Sequence, residues 1–169
     1  MIDHVDSPIG TLVCVCTGTA LCALSFTDHE PAMLASLAAR YEGFTMEAAS
    51  DPGGISSRLQ AYFAGDLQAL HGITVETGGT AFERRVWSAL LEIPAGATVS
   101  YGELAGRLGS GSRAVGSANS RNPVAIVVPC HRVVGANGHL TGYAGGLERK
   151  LWLLRHEGVD TDRLGRVRR

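Results

Sequence analysis

Pro129-Cys130-His131-Arg132 places a thiol next to an imidazole and a guanidinium. A free thiol with a pKa of about 8.5 is only a few per cent ionised at neutral pH, and the thiolate is the reactive form. Adjacent positive charge or a histidine base raises that fraction, so the pattern suits nucleophilic attack by Cys130 with His131 taking its proton. Residue types alone leave a second account open, in which Cys130 is a small buried hydrophobe and His131 a surface or satisfied core histidine.

The other three thiols, Cys14, Cys16 and Cys22, stand far away in sequence. Cys14 and Cys16 fall on one face of a strand with Cys22 and His29 near, a grouping with the chemistry of a zinc site. Three cysteines in an apolar hairpin also serve as core, and that is the reading adopted: no metal and no cofactor are expected. The N-terminus has neither the basic flank nor the apolar stretch of a signal peptide, and no run of eighteen apolar residues occurs. The expectation is a soluble cytoplasmic protein with free thiols and no membrane partner.

The elements that must position Cys130 follow from apolar periodicity. Residues 11–17 and 21–27 are short and apolar, and Gly18-Thr19-Ala20 between them makes a hairpin. Helices are expected over Pro31–Tyr41 and Ile55–Phe63, and Thr77-Gly78-Gly79-Thr80 breaks the pattern. Phe82, Val86, Ala89, Leu90 and Ile93 then recur at helical spacing, ended by Pro94-Ala95-Gly96.

Next comes a helix over Tyr101–Leu108 capped by Ser100, a glycine-containing turn over 109–112, and a second helix from Arg113 or just before. That order is a helix-turn-helix pattern, found in DNA-binding proteins and in ordinary helical folds. The second helix carries Ala114, Gly116, Ser117, Ala118 and Ser120. Small residues there admit either a DNA groove or a tightly packed neighbouring helix. Asn122-Pro123 stops it, and the β-branched run Val124–Val128 reads as a buried strand that ends at Cys130. A last helix spans about Leu147 to His156, with Leu147, Leu151 and Leu154 on one face and Gly158 as its stop; the tail from Arg163 is basic and is expected to be loose.

The fold class expected is α/β. A small N-terminal α/β domain (1–78) with an antiparallel hairpin or sheet precedes a mainly helical C-terminal domain (79–169) with the helix-turn-helix and a short active-site strand. Charge divides near the same boundary. Residues 1–80 carry nine acidic side chains against Arg40 and Arg58, a net of −7, whereas 81–169 carry thirteen basic against seven acidic, a net of +6. A phosphate-rich partner would meet the second half.

Pro129-Cys130-His131-Arg132-Val133 resembles the active-site signature of the O6-alkylguanine-DNA alkyltransferases. The resemblance continues through Arg113-Ala114-Val115-Gly116, Asn122-Pro123-Val124, Gly142-Tyr143-Ala144-Gly145-Gly146-Leu147 and the segment from Trp152 to Gly158, in the family's order and spacing. It covers about Phe82 to Gly158. Weaker similarity lies at Asp6-Ser7-Pro8-Ile9-Gly10 and from Leu59 to Gly65.

The resemblance implies stoichiometric transfer of an alkyl group from O6-alkylguanine, and also O4-alkylthymine, to Cys130, after the base is flipped from the duplex. Cys130 would be nucleophile and acceptor, His131 the base acting through a water, and Glu157 the carboxylate that orients His131. Asn122 would brace the turn before the active site. Arg113 would enter the base stack from the minor groove, on a helix whose Ala114 and Gly116 lie against the DNA, and Tyr101 would stand beside the flipped nucleotide. Tyr143 and the backbone at Ala144 and Gly145 would wall the pocket and donate to guanine O6; some relatives carry serine where this chain has Ala144. Backbone carbonyls near Cys130 and Val133 would accept from the guanine amino group. The implied partner is double-stranded DNA containing the lesion, bound by a monomer. Two rivals remain at this level: a non-catalytic alkylated-DNA binder of the same fold, which lacks the active cysteine, and a cysteine hydrolase with no DNA role.

Overall fold

Three antiparallel strands open the chain: β1 (Ile2–Val5), β2 (Leu12–Thr17) and β3 (Ala20–Phe26), in that order across the sheet. The β2–β3 hairpin is the one legible in the sequence, turning at Gly18 with φ of 58°. β1 was not anticipated; it pairs Ile2 with Val15 and Val5 with Leu12. The computed structural model describes residues 1–164. These divide into one unit made of Met1–Gly78 with Pro123–Val127, and another made of Gly79–Asn122 with the chain from Val128 onward.

In the first unit, α1 (Glu30–Arg40) sets Met33 and Leu37 against Val13, Val15, Cys22 and Ala23. From α2 (Ile55–Phe63), Ser56 approaches Cys14, with Oγ 3.6 Å from Sγ, and bonds Asp3 at 2.6 Å. Cys16 points to the Pro52 carbonyl and Cys22 to the Val15 carbonyl. All three thiols are buried, and burial pushes each above the ordinary thiol range. His29 lies beside Asp28 on the surface, and among the described residues no three His, Cys, Asp or Glu side chains gather as metal ligands.

In the second unit, α3 (Ala81–Leu91) and α4 (Tyr101–Leu108) each begin with a reciprocal cap, Thr80 with Glu83 and Ser100 with Glu103. α5 (Ser112–Ser120) packs on both. Trp87 of α3 is buried and donates from Nε1 to the Ala118 carbonyl of α5 at 2.9 Å. β4 (Val99–Ser100) pairs in parallel with β5 (Val133–Val134), and α6 (Leu147–His156) closes over Val134 and Leu140 through Leu154. Of the basic tail, Thr161–Arg163 form a 3-10 turn, and residues 165–169 lie outside the described part. No helix among the described residues is long and apolar enough to cross a membrane.

One expectation is overturned. Val124–Val128 is buried but is not a strand: only Val124 bridges to Leu24, and the Val127 amide turns back on Ala125 at 2.8 Å. Ile126 sits at φ 70°, an uncommon conformation for a β-branched residue, with its side chain 1% exposed. An apolar run reports burial, which a wedged turn satisfies as well as a strand. The two-residue strand of the active site therefore follows Cys130 instead of delivering it.

Gly79 has φ 81°, and a Cβ there would lie 2.6 Å from the Trp87 ring, whereas Gly106 in the exposed face of α4 has open space around it. Gly79→Ala should cost about 1–3 kcal/mol. Gly106→Ala should add about 0.5–1 kcal/mol. Urea unfolding of the two variants checks the opposite signs.

Candidate active site

Cys130 opens a single 3-10 turn, Cys130–Arg132, that runs into β5. Two bonds fix its approach: the Cys130 amide donates to the Val128 carbonyl at 2.8 Å, and Asn122 Nδ2 donates to the same carbonyl at 2.8 Å. Asn122 and Val128 are the two ends of the excursion 123–127, so the asparagine staples that loop shut. Its side chain also bonds the Cys130 thiol, which favours the thiolate.

Cys130 is 6% exposed, close to the surface but dry. Burial pushes its thiol above the ordinary range, opposed by the Asn122 bond and the nearby Lys150 cation. In the free protein the sulfur is therefore protonated, and the proton must be taken for the nucleophile to form. His131 is fully buried, and its Nε2 lies 2.6 Å from Glu157 Oε1. An ionised carboxylate only accepts, so Nε2 carries the hydrogen and Nδ1 is left as a bare acceptor. That Nδ1 has no hydrogen-bond partner among the described residues. Burial holds the His131 pKa below its ordinary value, against the pull of Glu157, so the imidazole is neutral and free to take a proton.

Glu157, at the C-terminal cap of α6, also accepts from Arg132, whose Nε and Nη2 reach Oε2 and Oε1 at 2.8 and 2.9 Å. Arg132 Nη1 donates to the Ile93 carbonyl at 2.5 Å. Burial works against the charged carboxylate, but the bonds from His131 and Arg132 outweigh it and lower its pKa to about 2.

Lys150 was not singled out from the sequence and belongs to the site. Its side chain is fully buried, and Nζ donates to the carbonyls of Val133 (2.6 Å), Thr141 (2.8 Å) and Gly142 (3.3 Å). It ties the end of β5 to the loop before Tyr143, and burial lowers its pKa to about 8. A usable signal existed: Leu147, Lys150, Leu151 and Leu154 share the i, i+3, i+4, i+7 face of α6, so a lysine occupies a core position.

The remaining candidates fall in two groups. Tyr101 is half-buried; its hydroxyl bonds Thr141 and stands 3.5 Å from Asn119 Nδ2, and its ring lies 3.9 Å from where a Gly116 Cβ would be. Tyr143 is half-buried, Ala144 exposed and Gly145 half-buried, the last accepting from Arg149 at 3.2 Å. On α5, Arg113, Ala114, Ser117 and Ser120 form one exposed stripe, while Val115, Ala118 and Asn119 face inward. The small residues of this helix thus divide between an exposed face and close packing on α3. Arg113 is exposed in the first turn.

Residues 81–159 match the family described as 6-O-methylguanine DNA methyltransferase, DNA binding domain. The chain is similar to the methylated-DNA–protein-cysteine methyltransferase of Salmonella typhimurium, 48% identical over 161 residues that cover 92% of this chain and 94% of the relative. The counterpart from Mycobacterium leprae is 49% identical, covering 90% and 88%. Among solved structures, Mycobacterium tuberculosis OGT in complex with DNA superposes with a TM-score of 0.76 at 43% identity, covering 96% of this chain and 93% of that one.

With the thiol held up and the imidazole held down, the sulfur keeps its proton and the ring stays neutral across neutral pH. The reaction of Cys130 with iodoacetamide should therefore be nearly flat in rate between the ordinary histidine value of 6.5 and the ordinary thiol value of 9.0. A rate that climbs tenfold per pH unit through this window would mean that thiol ionisation proceeds without His131.

Proposed function

The chain belongs to the methylated-DNA–protein-cysteine methyltransferase family, and from that premise we propose that it repairs O6-alkylguanine in DNA by moving the alkyl group onto Cys130. Repair of alkylated DNA is the coarse function, and DNA the partner. The observation that carries the finer reading is the bare Nδ1 of His131, a buried base fixed in the right tautomer by Glu157 and adjacent in the chain to the only thiol of the second unit.

The exposed stripe of α5 lies along the minor groove, and its small side chains let the backbone come close. Arg113 fills the gap left by the extruded base, which offsets part of the few kcal/mol of unstacking. The base enters beside Tyr101, with the Tyr143–Gly145 loop as its other wall. The thiol proton passes to His131 Nδ1 through a water. The sulfur then attacks the alkyl carbon, the S–C bond forms as the C–O6 bond breaks, and guanine leaves with the electron pair. Backbone N–H groups at Ala144 and Gly145 stabilise the charge growing on O6, and guanine ends by taking a proton. The thioether has no activated carbonyl for water to attack, so each molecule acts once, as a monomer. O4-alkylthymine reacts by the same route but offers no amino group to the Cys130 and Val133 carbonyls, and is the slower substrate.

Incubation with a duplex containing O6-methylguanine should add one methyl group to the intact mass, mapped to Cys130 and lost in Cys130→Ala. Tight binding with no adduct would favour a non-catalytic lesion binder, and repeated turnover without regard to oligonucleotides a hydrolase. Arg113→Ala should slow repair of the duplex by about 10- to 100-fold, equivalent to about 1.4–3 kcal/mol, with much less effect on the free modified base. Equal losses on both would remove the role of Arg113 in extrusion.

A further inference from the structure

Asn119, on the inner face of α5 and 4% exposed, is a buried amide that none of the steps above uses. Its Nδ2 donates toward the Cys130 carbonyl at 3.4 Å and lies 3.5 Å from the Tyr101 hydroxyl. The orientation of the amide is chemically fixed: a carbonyl can only accept, so the nitrogen must face Cys130. Oδ1 is then left buried with no hydrogen-bond partner among the described residues. An unsatisfied buried acceptor destabilises the free protein, and its retention asks for a partner that arrives later.

The two groups that Asn119 touches are the ones that flank the reacting base in the reading above, on which this inference rests. O6-alkylation leaves N1 of guanine without its hydrogen, so the exocyclic amino group is the only N–H donor the base still carries. We propose that Asn119 is a specificity-determining residue: Oδ1 accepts one hydrogen of the guanine amino group while the Cys130 and Val133 carbonyls share the other. Nδ2 holds that carbonyl in place, and the amide and the backbone form one acceptor edge. Oδ1 has no exposed surface in the free protein, so a side chain must turn aside as the base arrives. Tyr101, half-buried and beside the same amide, is the one that turns.

The test compares two lesions that differ only in the amino group, O6-methylguanine and O6-methylhypoxanthine, each placed in the same duplex and followed by single-turnover methyl transfer to Cys130. Wild-type protein should favour the guanine lesion by about tenfold or more. In Asn119→Leu, and in Asn119→Ala should the larger side chain impair folding, the preference should fall to about threefold or less, because the loss on guanine exceeds the loss on hypoxanthine. A merely structural role for Asn119 would slow both lesions equally and keep the ratio, which would overturn the proposal, as would an unchanged ratio at unchanged rates. No adduct from either lesion in the wild-type protein would instead overturn the transfer reading, and this inference with it.

Discussion

The buried carboxylate of Glu157 accepts from His131 at 2.6 Å and from two nitrogens of Arg132, and the chemistry of the site depends on that sharing. One carboxylate facing one imidazole would draw a proton onto the ring and fill the base before it could act. Burial holds the ring neutral against that pull, and the guanidinium on the same carboxylate acts in the same sense, so the imidazole is oriented without being protonated. The burial that makes this carboxylate costly also makes its three charge-assisted bonds strong. The result is a tautomer fixed by geometry, with the donor nitrogen toward Glu157 and the acceptor nitrogen bare.

The same dryness acts on the thiol in the opposite sense. Electropositive neighbours alone would make Cys130 a standing thiolate, but burial keeps the proton on sulfur. A protonated thiol is spared oxidation and adventitious alkylation, because the thiolate carries that reactivity. In the proposed mechanism, reactivity is then conditional on His131, one residue away in the chain. Asn122 contributes to both parts of this arrangement, since the side chain that closes the loop over 122–128 is also the one that bonds the sulfur.

Much of this was legible in the sequence, for reasons that can be named. The helices from Ala81 onward are local objects: caps at Thr80 and Ser100, small residues on α5 and stops at glycine are written in neighbouring residues. The signature at Cys130 to Val133 and the glutamate at 157 mark the chemistry by type. β1 was missed because its four residues become a strand only by pairing with β2, a non-local event. Val124–Val128 was misread because hydrophobicity records that a segment is buried and not how its backbone runs. Lys150 and Asn119 were missed for a shared reason: each is a polar side chain placed on the inner face of a helix, and reading that face for apolar residues alone passes over the polar members.

Lys150 is a buried cation held by carbonyl dipoles. Three carbonyls satisfy its three hydrogens, but none carries the opposite charge. Among the described residues, the charged groups named around Cys130 are one carboxylate, Glu157, and two cations, Arg132 and Lys150, a surplus of one positive charge. The Lys150 cation and the Asn122 bond favour the thiolate, but burial opposes it and prevails, so the surplus stands in the free protein. A buried ammonium with no anion to answer it is drawn toward its neutral form, and burial lowers the Lys150 pKa to about 8. The tie between β5 and the loop before Tyr143 therefore rests on an ammonium whose charge is lost as pH rises through about 8.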